Sequence, residues 1–172
     1  MNLTKHKAYP TIARLALWGL VTSVFIIVVC FNYLRPTEMQ VHKHLMSNIA
    51  WSFSEPPPSS PELLVEAVGQ YSKDIHFAFE RHFLTDITPY RQLDIVYQYS
   101  VQQPDSNWLD VKAVVAIGDG SHQLSNAEIL WSLHRQAYAH LKDEDHHYFE
   151  GLWALKNNIR PGVPAFEVDL GS

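Results

Sequence analysis

The sequence predicts an α+β protein: one N-terminal transmembrane helix, then a head ordered α-β-β-α-β-β, with two helices on one face of a four-stranded antiparallel sheet. Three observations carry this. Thr11 to Leu34 reads TIARLALWGLVTSVFIIVVCFNYL, with Arg14 its only charge. Two helix starts are marked, by Ser60-Pro61-Glu62 and by Ser125 with Glu128. Between them lie two runs of alternating character, Leu93-Ile95-Tyr97-Tyr99-Val101 and Leu109-Val111-Ala113-Val115-Ile117.

Residues 1–10 form a short basic tail. The apolar stretch that follows reaches roughly the 20 residues needed to cross a hydrocarbon core of ~30 Å at ~1.5 Å per residue. Tyr9, Trp18 and Tyr33 fall where amphipathic rings favour the headgroup layer. Lys5, Lys7 and Arg14 precede or open the span with no acid among them, whereas all 18 Asp and Glu follow it. The expected orientation is a cytoplasmic N-terminus and a periplasmic C-terminal domain at a bacterial inner membrane. A cleaved signal is disfavoured, because the apolar run exceeds a secretory h-region and FNYLRPTEMQ offers no small-x-small site. Val29 is also too bulky for the residue before a lipidated Cys30.

Residues 11–35 are therefore read as the anchor, and 36–60 as a juxtamembrane helix and Pro-rich linker. Pro36 ends or bends the span. Met39, His42, Met46, Ile49 and Phe53 recur at spacings of three and four, which predicts a helix over 37–53 that could also mediate homo-oligomerisation. Ser54 to Pro61, SEPPPSSP, cannot continue a helix and reads as a semi-rigid spacer.

The head is expected at 61–172, one folded unit with a single core. Its first helix takes Leu64, Val68, Tyr71, Ile75, Ala78, Phe79 and His82 inward and runs to about Phe83. Pro104-Asp105 joins the two alternating runs as a hairpin. Ile129, Leu130, Leu133, Ala137 and Leu141 face inward on the second helix, which runs to about Lys142. Tyr148, Phe149 and Trp153 around Gly151 suit a strand over 146–156, and Val163 to Leu170 returns as the last one. Each half is a helix followed by a hairpin, a pattern that either duplication or chance would produce.

The chemistry is read mainly by exclusion. There is no phosphate-binding Gly-rich loop, no G-x-S-x-G, no H-E-x-x-H and no dinucleotide fingerprint. No catalytic residue and no cofactor is assigned. Cys30 is the only cysteine and lies in the span, so no intrachain disulfide forms. Beyond Arg35 nine Lys and Arg face 18 acids, and this charge of about −9 disfavours nucleic acid. Nine of the ten histidines follow the span. The run Asp143-Glu144-Asp145-His146-His147 could serve metal binding or pH sensing, but adjacent histidines in a strand point to opposite faces, and a solvated turn explains the run equally simply. No metal site is assigned.

The expected function is a membrane-anchored, non-catalytic protein-interaction module, an accessory or assembly subunit of a bacterial envelope complex of secretion or conjugation type. Its partners are proteins of the membrane or periplasm, and lipid through residues 11–34. The expected contact residues are Trp108, Asp119, Asp143, Glu144, Asp145, His146 and His147, on loops at element ends. Two alternatives come from other classes: a membrane-tethered immunity protein masking a basic toxin, and a small-ligand or metal sensor.

Overall fold

The computed structural model describes residues 43–172. The tail, the apolar stretch with Tyr9, Trp18 and Tyr33, and the first part of the 37–53 helix lie outside the described residues. Among the described residues, no helix is long and apolar enough to cross a membrane.

Nine elements follow in order: β1 (His44–Leu45), β2 (Trp51–Ser52), α1 (Pro61–Asp74), α2 (His82–Thr85), β3 (Leu93–Gln102), β4 (Trp108–Ile117), α3 (Asn126–Leu141), β5 (Tyr148–Ala154) and β6 (Ala165–Gly171). The architecture is α+β, with one six-stranded sheet and three helices among the described residues. The sheet runs β1-β5-β6-β3-β4, and β2 also pairs with β5. It is mixed rather than antiparallel, because β6 lies parallel to β3 over Ala165–Glu167. The two hairpins are antiparallel as the alternation predicts, but they join through β6 and β3, which run the same way.

That junction argues against a simple duplication. Superposing α1-β3-β4 on α3-β5-β6 would need a rotation that turns the sheet over, yet both helices contribute to one core.

The expected 37–53 helix is corrected where it can be seen. Residues 43–53 form β1 and β2, joined by a turn in which Met46 takes a left-handed φ of 56°. The physical reason is the period-two burial of Ile49, Trp51 and Phe53, which seats this segment on the edge of β5. Phe53 N–H donates to the His147 carbonyl at 2.9 Å, and Ala154 N–H to the Lys43 carbonyl at 2.9 Å. The proline run is likewise no spacer. It forms a strap along α3, where Trp131 Nε1 donates to the Pro58 carbonyl at 2.7 Å.

Helix α1 starts as expected, with the Ser60 hydroxyl accepting from Leu63 N–H and Pro61 in the first turn. It stops at Asp74, well short of Phe83. Phe77 N–H returns to the Ser72 carbonyl and His76 N–H to the Lys73 carbonyl, with His76 at a φ of 55°. These bonds are a Schellman stop with histidine at the usual glycine position, so the sequence carries no glycine signal for it. Helix α3 has the expected capping box, Ser125 and Glu128 each serving the other's backbone N–H. Its inward residues Ile129, Leu130, Leu133, Ala137 and Leu141 are all fully buried. They meet Leu64 and Val68 of α1 and the inner sheet face, including Leu93, Ile95, Ile117, Leu152 and Phe166, in one cluster. Burial of each such valine, leucine, isoleucine or phenylalanine side chain stabilises the fold by about 1.5–3 kcal/mol.

Candidate functional site

The site grows out of the parallel junction. β3 and β6 pair only over Asp94–Val96 and Ala165–Glu167, although β3 continues to Gln102 and β6 to Gly171. Beyond Glu167, β6 stays with β5, its Gly171 opposite Tyr148. The two strands therefore part, and a cleft of about 590 Å³ opens between Gln98–Ser100 and Glu167–Leu170. Asp110, Glu144 and His146 complete its wall.

Backbone polarity shapes this cleft. Gln103 N–H donates to the Asn107 carbonyl across the hairpin, whereas Asp94 N–H turns the other way to the Pro164 carbonyl. Alternation then directs the N–H and C=O of Gln98 and Ser100 toward the β6 side. Glu144 Oε1 accepts from Ser100 N–H at 3.0 Å, taking the place of the β6 carbonyl that the splay removes. A buried or half-buried N–H left unpaired would cost free energy, so this bond anchors the Asp143–His147 loop to the sheet.

The other carboxylates are held by single donors. Asp110 accepts from the Ser100 hydroxyl at 3.1 Å, Glu167 pairs with Lys112 at 2.8 Å, and Asp169 accepts from Trp153 Nε1 at 2.9 Å. Four carboxylates thus face one cleft with Lys112 the cation beside them. His146 is exposed and makes no hydrogen bond or ion pair with any other described residue. His147 turns away, its Nδ1–H donating to the Glu144 carbonyl at 2.5 Å. Among the described residues, no group of three or more His, Cys, Asp or Glu is placed to hold a metal ion.

A second, more apolar cleft of about 530 Å³ lies beside the end of α1. Trp51, Tyr71, Ile75, Phe77 and Tyr148 line it, with Glu150 and Asp169 at its polar side. Trp51 meets Tyr71 edge-on at 5.8 Å. Burial, and next the nearby Tyr148, raise the Tyr71 phenol above its ordinary range, so it stays protonated at neutral pH. Ile75 and Phe77 are exposed at 46% and 41%, which leaves apolar surface at the mouth.

The residues expected at a contact surface do not converge. Glu144 and His146 line the acidic cleft, while Asp143 and Asp145 point to solvent beside it. Trp108, 66% exposed, opens β4, and Asp119 follows its other end, so roughly 30 Å separates them. Asp119 accepts from Ser121 N–H at 2.8 Å. The Ser121 hydroxyl first, then this N–H, holds its carboxyl below the usual range, as in a structural turn. Gly118 beside it has a φ of 76°, and a Cβ there would meet the Arg91 carbonyl oxygen at 2.3 Å. Sequence reasoning missed Asp110, Glu167 and Asp169, whose signal was acidic residues at outward strand positions.

No family model, curated protein or solved structure matches the chain.

Proposed function

We propose that the chain is a membrane-anchored, non-catalytic protein-interaction module, an accessory or assembly subunit of a bacterial envelope complex of secretion or conjugation type. Residues 11–34 would cross the inner membrane with the N-terminus cytoplasmic and the head periplasmic, a reading supported by the Lys and Arg asymmetry across the apolar stretch.

One observation carries the binding reading: Asp169 borders both clefts. An apolar anchor site and an acidic site therefore adjoin, which suits a partner segment carrying an aromatic or aliphatic residue next to a basic one. The apolar cleft supplies the burial that dominates such contacts, and the carboxylates steer and select a basic partner.

The test is quantitative capture of a partner by the full-length chain in detergent. Asp169→Lys is expected to slow association about tenfold with little change in melting temperature. The triple reversal of Asp143, Glu144 and Asp145 should act in the same direction. A partner that binds wild type and both variants at equal rates overturns the cleft assignment. A reporter fused after Ser172 that works only in the cytoplasm overturns the topology.

A further inference from the structure

We propose that the chain pairs with a second copy of itself along β4, antiparallel and centred on Val111, to make one continuous sheet.

The two ends of the sheet are treated differently. At one end the outer edge of β5 is covered by β1 and β2. At the other, β4 pairs only with β3 among the described residues and leaves a ten-residue strand open. Trp108, Leu109 and Val114 along it are exposed at 66%, 53% and 52%. Long apolar edges invite pairing with another chain, and natural proteins ordinarily blunt them.

The polarity of this edge follows from the hairpin. The Gln103–Asn107 bond and the register Leu109↔Val101 and Val111↔Tyr99 point the backbone groups of odd β4 residues at β3. Those of Trp108, Asp110, Lys112 and Val114 point outward. A second β4, related by a two-fold axis at Val111, sets each of these opposite an outward partner. Trp108 meets Val114 of the second copy and Asp110 meets Lys112, each twice. The ladder then closes with about eight backbone hydrogen bonds.

The side chains select this register. On the outer face it gives two aromatic–β-branched pairs and two opposite-charge pairs, the combinations that stabilise cross-strand neighbours. A slip of two residues one way sets Lys112 opposite Lys112, and the other way sets Asp110 opposite Asp110. On the inner face Val111 meets Val111, and Leu109 meets Ala113, a residue already packed against its own core. The charges that would otherwise guard the edge are thus complementary to themselves in one alignment. The charge pattern of β4, with Asp110 and Lys112 outward, is therefore matched by a second copy of itself.

The test uses the full-length chain in detergent, with Cys30→Ser as background. Opposed Val111 residues form a non-hydrogen-bonded pair with Cα atoms about 4.5 Å apart, within reach of a disulfide. Val111→Cys should cross-link into a covalent dimer under mild oxidation, whereas Ala113→Cys, which faces Leu109, should not. Sedimentation should show Lys112→Asp weakening self-association about tenfold, and Asp110→Lys with Lys112→Asp restoring it. Thermal melts of each variant separate lost pairing from lost folding. A monomer at every concentration, equal cross-linking at 111 and 113, or a charge swap that fails to restore association in folded protein overturns the proposal.

Discussion

Trp51 donates its indole N–H to Nδ1 of His134 at 3.1 Å, joining residues 83 apart in the chain. Because Nδ1 accepts, Nε2 carries the proton and donates to the Glu55 carbonyl at 3.0 Å. The ring is fully buried between β2 and the strap, and Phe53 and Tyr138 meet it edge-on. A neutral imidazole satisfies both partners, whereas a protonated one would aim a second N–H at a donor.

Stability should therefore depend on pH through this residue. Burial lowers the His134 pKa to about 4, against the partial opposition of the Glu55 carbonyl. The unfolded chain binds the proton more readily, so the contribution is complete above about pH 6.5 and is lost as pH falls toward 4. The loss is on the order of 3 kcal/mol. Urea titrations at steps from pH 7.5 to 4 should show this decline, and His134→Gln should flatten it in that window. Glu128 is also held below its usual range: burial raises it, but bonds from Ser125 and His122 outweigh that. Its contribution falls in the same direction at lower pH, below about 4.5.

A second expectation reverses the domain boundary read from the sequence. Ile49, Trp51 and Phe53 are buried in the same core as α1 and α3. A chain beginning at residue 61 loses all three and the β2 cover on β5. It should unfold without a cooperative transition, while one beginning at residue 43 should retain it. Within the full chain, Phe53→Ala should cost about 3–5 kcal/mol by urea denaturation. A cooperative fragment 61–172 as stable as the longer one would show that the strap is dispensable.

What could be read in advance follows from where the information is stored. The β3–β4 hairpin, the capped start of α3 and the Ser60-Pro61 start of α1 are local, written within a few residues and unaffected by distant partners. Residues 43–53 deceive because Met46, Ile49 and Phe53 fit a helical stripe as well as Ile49, Trp51 and Phe53 fit a strand. Only the β5 edge decides between them. The parallel junction of β3 and β6, and hence the cleft beside it, is set by contacts about 70 residues apart that no local pattern announces. Glu144 and His146 were accessible because a charged loop after a helix end is a local feature. Asp110, Glu167 and Asp169 became part of a site only when β6 met β3 and then left it.

A third expectation concerns the loop over the outer sheet face. Asp94 is 1% exposed, and Arg160 Nε donates to its two oxygens at 2.9 and 3.0 Å, with Nη2 at 2.6 Å from Oδ1. The Asp94 bond first, opposed by burial, raises the Arg160 pKa. Removing the cation strands a buried carboxylate, which is the costly way to break such a pair. Arg160→Ala should lower the melting temperature more than Arg91→Ala, whose partner is the exposed Ser121 carbonyl at 2.9 Å. Adding Asp94→Asn should recover part of the loss. If the double variant is no better than Arg160→Ala, the loop depends on Arg160 for something other than its charge.

The last expectation is a gain. His76 holds a left-handed φ of 55° to complete the Schellman stop of α1, and its side chain is exposed with no hydrogen bond or ion pair to any other described residue. A residue with a Cβ pays about 1–2 kcal/mol for that conformation, and glycine does not. Glycine loses more freedom on folding, which returns part of the difference. His76→Gly should therefore stabilise the chain by about 0.5–1 kcal/mol, and His76→Asn by less. The gain should appear as a higher urea midpoint at unchanged slope, since the surface exposed on unfolding is the same. His76→Val, β-branched at the same φ, should destabilise instead. A midpoint that falls for His76→Gly would mean that the imidazole holds Phe77 at the apolar cleft, and that the backbone strain is smaller than the packing it secures.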